Sequence, residues 1–167
     1  MMEEKATDFL ARRRVMSIAT LRPDGWPQNT MVGYANDGLL IYFLISRQSQ
    51  KLANIVRNDR VSIAIGEAFS DPHEVTGLSL AARASEVTDS AQRELARELL
   101  WARHPEFAVF PKPDITKAAI MRARPEVITV LDYREEFGHA DILFVGADMG
   151  ALMEPARPDD WGLTPAS

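Results

Sequence analysis

The densest chemical signal in this chain of 167 residues lies in the stretch ISRQSQKLANI, which sets Ser46, Arg47, Ser49 and Lys51 close together. An apolar run, Leu39 to Leu44, leads into it, and helix-like periodicity follows. A helix beginning near Ser49 leaves its first backbone N–H groups without intrahelical partners, and its dipole makes that end attractive to an anion. Hydroxyls at Ser46 and Ser49 can add hydrogen bonds. Lys51 in the first turn puts a cation where the dipole alone disfavours one, a choice that suits a phosphate ligand. The plain alternative is that Ser49 is an N-cap and that Arg47 and Lys51 are solvated charges. The local pattern leaves both open.

Magnitudes add a requirement. A charge-assisted hydrogen bond contributes about 1.5–3 kcal/mol, whereas micromolar binding needs about 8.2 kcal/mol. A phosphate pocket alone does not retain a cofactor, so an apolar platform must supply the rest. One is available in PQNTMVGY, Pro27 to Tyr34. On a strand, Gln28, Thr30 and Val32 share one face while Asn29 and Met31 share the other, and backbone groups beside them can read the edge of a heterocycle. Thr30 and Met31 can equally be ordinary sheet residues.

Other chemistries find little support. Cysteine is absent, which excludes disulfides, thiolate catalysis and cysteine-ligated metal. His73, His104 and His139 are scattered, so a metal site would have to be assembled from distant loops and none is expected. There is no Walker loop, no GxGxxG and no nucleophile elbow. The formal net charge is −5, and the only basic run, Arg12 to Arg14, closes an expected first helix. There it reads as a solvated helix end and not as a nucleic-acid contact. No apolar run reaches the roughly 18 residues of a membrane span, and no export signal is seen at the start. A cytoplasmic protein with no membrane partner is the expectation.

The elements that must position these residues follow from periodicity. A first helix carries Ala6, Phe9 and Leu10 on one face. Val15 to Leu21 reads as a strand, Arg22 to Gly25 as a turn, and Trp26 to Tyr34 as the returning strand. Ala35 to Gly38 reads as a second tight turn before an apolar strand buried on both faces. A short helix places Leu52, Ile55 and Val56 on one face, and Arg60 to Gly66 is a further strand. Val75 to Val87 reads as a long strand. A helix from Asp89 or Ser90 to Arg103 shows the stripe Leu95, Leu99, Leu100 and Ala102. Lys117 to Tyr133 reads as one or two strands around Pro125, followed by a short apolar segment after Asp141. The tail, residues 154–167, is expected to be loose or to lie along a neighbour. The sum is a single α+β domain over residues 1–167, built on a small, mostly antiparallel barrel.

This order of elements, with VMSIATLRPDGWPQNTMVGY, then LLIYFLISRQSQKLANIVRNDRVSIAI, then RPEVITVLDY, closely resembles the pyridoxamine 5′-phosphate oxidase-like family of FMN-binding split barrels. The likeness runs from about Phe9 to Phe144. Its most specific part is SQKLANIVRNDRVS, where the family has a phosphate-binding Ser-x-Lys opening a helix. The resemblance implies a six-stranded split barrel with flanking helices and FMN as cofactor. Lys51 and Ser49 would hold the phosphate, with Ser46 and Arg47 as neighbours. Asn29, Thr30, Met31 and Val32 would run beside the isoalloxazine ring, and Gly138 and His139 match a late segment near the flavin. It also implies a homodimer with flavin sites at the interface, closed by Trp101, Phe107 or Phe110 of the partner subunit.

The departures concern the substrate. Gln50 stands before Lys51, where true pyridoxamine-phosphate oxidases tend to carry arginine, and DDWGLTPAS lacks their C-terminal arginine and histidine signature. The expectation is therefore an oxidoreductase acting on another small molecule, with NADH or NADPH as a candidate electron donor and no acid or base assigned. Alternatives that keep the fold are a flavin-binding or redox-sensing module without turnover, and a relative that uses deazaflavin or haem.

Overall fold

The structure, a computed structural model, describes residues 1–110 and 113–145. The expected loose tail lies outside the described residues. Seven antiparallel strands form one sheet: β1 (Val15–Leu21), β2 (Pro27–Asp37), β3 (Leu40–Ser46), β4 (Arg60–Gly66), β5 (Thr76–Glu86), β6 (Ala118–Asp132) and β7 (Ala140–Phe144). Their order is β3-β2-β1-β4-β5-β6-β7, and a further β3–β6 pairing closes the first six into a barrel. Closure exploits the length of β6. Its first half pairs with β3, Ile41 against Ala123 through Ser46 against Ala118. Its second half pairs with β7, Val127 against Phe144 through Leu131 against Ala140.

Alternation fills the barrel. Met16, Ile18, Ile41, Phe43, Ile63, Leu78, Leu80 and Ile128 are buried in one cluster, while their neighbours along each strand face outward, as a period of two dictates. Helix α1 (Met2–Ala11) buries Ala6 and Leu10 against this core, and the Tyr34 hydroxyl donates to the Leu10 carbonyl at 2.8 Å. Helix α2 (Gln50–Arg57) carries the chain from β3 to β4 and inserts Ile55 into the same cluster. Helix α3 (Ser90–Arg103) is capped by Asp89, whose carboxylate accepts from the Gln92 N–H. It packs outside the barrel, with Ala96 and Leu99 meeting Tyr42, Val87 and Ile120.

On α2 the expected face changes: Asn54 and Ile55 are buried, whereas Val56 is 80% exposed. Three further expectations change. Ala35 to Asp37 are strand, paired with Phe43's neighbours Tyr42, Ile41 and Leu40, so the turn is only Gly38 and Leu39. Asn36 misleads because it is polar yet buried: its amide donates to the Gly38 carbonyl at 2.8 Å and its oxygen accepts from Arg103 at 2.8 Å. In α3 the buried residues are Ala96 and Leu100, whereas Leu95 is 40% exposed and Ala102 also faces solvent. Pro125 does not divide Lys117 to Tyr133. It lies in a single strand beside a bulge, where Ala81 pairs with Val127 but Ala82 pairs with Pro125, so Glu126 is the extra residue. A bulge is where a strand tolerates a residue without an N–H.

The arginine triplet is less solvated than its sequence implies. Arg13 pairs with Glu67 at 2.7 Å and lies over the Phe9 ring, and Arg14 pairs with Glu106. Gly33 is required by a close approach: a Cβ there would stand 2.9 Å from Cε1 of the buried His104 ring.

Candidate functional site

The turn from β3 into α2 gathers Ser46, Ser49 and Lys51. Ser49 is the N-cap, with an extended backbone; its hydroxyl accepts from the Leu52 N–H at 3.2 Å and donates to the Ser46 carbonyl at 2.7 Å. Its proton is therefore already committed. The Ser46 hydroxyl accepts from the Gln48 N–H at 3.2 Å and keeps its own proton to donate. Among the described residues, the first-turn N–H groups of Gln50 and Lys51 have no partner. Lys51 is half-buried with no ion pair or hydrogen bond among those residues, and burial pulls its ammonium below the ordinary lysine range. Unpaired donors and a partly desolvated cation are an arrangement that an anion completes.

Arg47 is not part of that set. Its guanidinium forms a two-pronged pair with Glu86 at the end of β5, and its Nε donates to the Ile115 carbonyl. The Glu86 contact holds the Arg47 charge above its ordinary range. Arg47 thus ties the end of β3 to β5 and to the approach to β6.

On β2 the expected faces are observed. Thr30 stands opposite buried Ile18 and points inward, and its hydroxyl oxygen is buried without a hydrogen-bond partner. Val32 packs against the barrel core. Asn29 and Met31 face outward; Asn29 accepts from the Ser17 hydroxyl at 2.6 Å, and Met31 is 69% exposed. With Ser62, Ala64, Ser79 and Ala81 of β4 and β5, they border an exposed sheet face of mostly small side chains. Nearby, Leu44, Trp101, Phe107, Phe110, Pro113 and Ala118 line an apolar cleft of about 380 Å³.

A polar network that the sequence reading missed links the anion turn to β2. Asn54 is fully buried under α2, where its amide nitrogen donates to Thr20 at 3.0 Å and to Gln28 at 3.2 Å, while its oxygen accepts from Gln50 at 2.8 Å. The signal was present: Asn54 interrupts an otherwise apolar helix face, one turn after Gln50.

Gly138 and His139 lie elsewhere in the chain. Gly138, at φ +82°, turns the chain between β6 and β7, beside Asp132. Ser46 pairs at the opposite end of β6, Ala118. At about 3.3 Å per residue, the two ends are separated by roughly 46 Å of strand, so they lie at opposite ends of β6 within one chain. His139 instead sits 2.9 Å from Asp141 and 3.2 Å from Glu135. Glu135 and Asp132 also receive Lys5 from α1, and Arg134 pairs with Asp132. The spacing Glu-x-x-x-His-x-Asp was therefore closer than the impression of scattered histidines allowed.

Asp141, and secondarily Glu135, raise the His139 pKa while burial and Lys5 oppose. A folded pKa above the unfolded value of about 6.5 gives stability that is fully present below about 6.5 and lost as pH rises through the folded value. Urea melts should show that loss, under about 1 kcal/mol for a partly exposed pair, and His139→Gln should abolish it. An unchanged pH dependence in the variant would refute the assignment.

The other histidines are engaged differently. Arg14 can only donate, so His104 Nδ1, 3.2 Å away, accepts and Nε2–H donates to the Tyr34 carbonyl at 2.9 Å. His73 is exposed, with Nδ1 2.9 Å from Asp71. Among the described residues, no helix is long and apolar enough to cross a membrane.

The family described as pyridoxamine 5′-phosphate oxidase matches residues 2–132. The chain is 28% identical over 138 residues to general stress protein 26 of Bacillus subtilis, covering 80% of this chain and 91% of that protein. A heme-binding protein from Mycobacterium smegmatis has a TM-score of 0.74 at 21% identity, over 86% of this chain and 58% of that one. This chain thus spans little more than half of that protein's length. An FAD-binding protein from Mesorhizobium loti gives 0.61 at 21% identity, over 76% and 90%. At such identities the two structures speak for the fold.

Proposed function

The chain belongs to the pyridoxamine 5′-phosphate oxidase family, and from that premise we propose that it is an FMN-binding oxidoreductase acting, as a homodimer, on a small molecule other than pyridoxamine phosphate. The observation that carries this reading is Lys51, a half-buried cation without a partner among the described residues, beside the unpaired N–H groups of the α2 first turn. Lys51, those N–H groups and the Ser46 hydroxyl would hold the phosphate. Ser49 would shape the turn as its cap. The strand carrying Asn29, Thr30, Met31 and Val32 would flank the ring.

When bound, the flavin supplies hydride and single-electron transfer; the chain's task is binding, orientation and exclusion of water. The exposed face of small side chains on β4 and β5, bordered by β2, supports a second copy as its cover, since small side chains let two sheets approach closely. A standard interface takes about 800 Å² from each partner. His104 has both ring nitrogens occupied, which favours flavin over a haem ligated there.

The test is an absorption spectrum of the purified protein, titration with FMN, and anaerobic addition of NADH or NADPH, with sedimentation run in parallel. Flavin bands that a nicotinamide bleaches, on a dimer, support the reading. Bound flavin that no nicotinamide reduces leaves a binding module without turnover, or an enzyme served by a different donor. A Soret band on titration with hemin and no affinity for FMN overturns it.

A further inference from the structure

We propose that Asn54 is a positioning residue that sets the phosphate end of the site relative to the ring end. The inference rests on the flavin reading above. The two ends belong to different elements: Lys51 and the free N–H groups to α2, and Thr30 and Met31 to β2. Between them stands one fully buried amide with every polar atom used. Its nitrogen grips Gln28, two residues before Thr30 on the same inward face, and Thr20, the cross-strand partner of Gln28. Its oxygen takes the Gln50 amide in the first turn of α2, adjacent to Lys51.

The chain of contacts is directional. Both Asn54 N–H groups are donated downward to the strands, so its oxygen faces the helix start, and no flipped amide satisfies the same partners without a second reorganisation. A buried amide of this kind is costly unless its whole network is satisfied, and apolar packing by Ile55 beside it would have held α2 on the barrel more simply. The arrangement fixes register more than it adds adhesion. Because a ligand with both ring and phosphate needs the two ends at one separation, the network selects for the phosphorylated ligand. Riboflavin, which uses the ring end alone, is indifferent to it.

The experiment compares dissociation constants of FMN and riboflavin for wild type, Asn54→Ala, Gln28→Ala and the double variant. The ratio of the two constants is a readout that general destabilisation does not move. The expected result is a loss of about tenfold in preference for FMN, roughly the value of one well-placed charge-assisted hydrogen bond. The double variant should lose no more than the worse single one, since both break the same link. If Asn54→Ala does not fold, Gln28→Ala, at a half-buried position, carries the comparison. Variants that fold and keep the wild-type ratio, or that weaken both ligands equally, overturn the inference while leaving the flavin reading intact. A wild type that binds neither ligand overturns the flavin reading itself.

Discussion

Lys51→Ala is expected to weaken FMN binding by roughly one to two orders of magnitude and to leave riboflavin within about twofold. The size follows from the loss of one charge-assisted contact, about 1.5–3 kcal/mol, at 1.4 kcal/mol per tenfold change. The selectivity follows from geometry. Lys51 stands in the first turn of α2, and among the described residues nothing neutralises it, so its removal strands no protein partner. The variant should fold as well as wild type, or slightly better, because a cation at a helix start opposes the dipole and burial already works against its charge. Isothermal titration with each ligand, alongside a thermal melt, gives both quantities. Equal losses for FMN and riboflavin would remove Lys51 from the phosphate site. Arg47→Ala is the informative contrast: its charge is spent on Glu86, so it should cost stability and change the FMN-to-riboflavin ratio little.

Phe43→Ala should cost about 3–5 kcal/mol, the range for emptying a buried aromatic position, out of a total that is usually 5–15 kcal/mol. Phe43 is fully buried inside the barrel and stands opposite Tyr34 on β2 and Met121 on β6. It therefore fills the seam where the barrel closes, and rigid strands on both sides limit collapse of the cavity. Urea denaturation with a fixed slope reads the change as a shift in midpoint. Phe110→Ala is the control, since Phe110 is 62% exposed and surface changes usually stay within about 0.5 kcal/mol. A cost below about 1 kcal/mol for Phe43→Ala would mean that this seam is not packed as described.

What the sequence discloses here is what local periodicity encodes. Val15–Leu21 and Arg60–Gly66 could be bounded to the residue because each alternates cleanly against a single core. On α3 the stripe was right at Leu99 and Leu100 but wrong at Leu95, which is apolar yet exposed, while Ala96, which packs, is too small to dominate a pattern. A barrel was expected from the order of the elements, but which strands close it was not legible, since a pairing such as Ile41 with Ala123 is a relation between distant segments. The same distinction runs through the site. The Ser49 cap is a local feature and was legible; the partner of Arg47, Glu86, lies 39 residues away and was not. Thr30 and Met31 showed their alternate faces from spacing alone. The role of Asn54 emerged only when Thr20 and Gln28 were brought beneath it.

The sharing of β6 between β3 and β7 also bears on how the chain reaches this fold. The meander from β1 to β3 involves neighbours in sequence and can form early, but β3 keeps an unpaired edge until residues 118–123 arrive. Such long-range pairing slows folding because loop closure precedes any reward, and an exposed strand edge is a template for another chain. During synthesis, when the amino-terminal part waits for the rest, the edge of β3 is the segment most in need of protection. The Arg47–Glu86 pair, at the exit of that same edge, cannot form until β5 is complete. Shortening the delay between the two halves, by circular permutation at the Asp89 turn for example, should redistribute refolding rates while leaving the finished barrel unchanged.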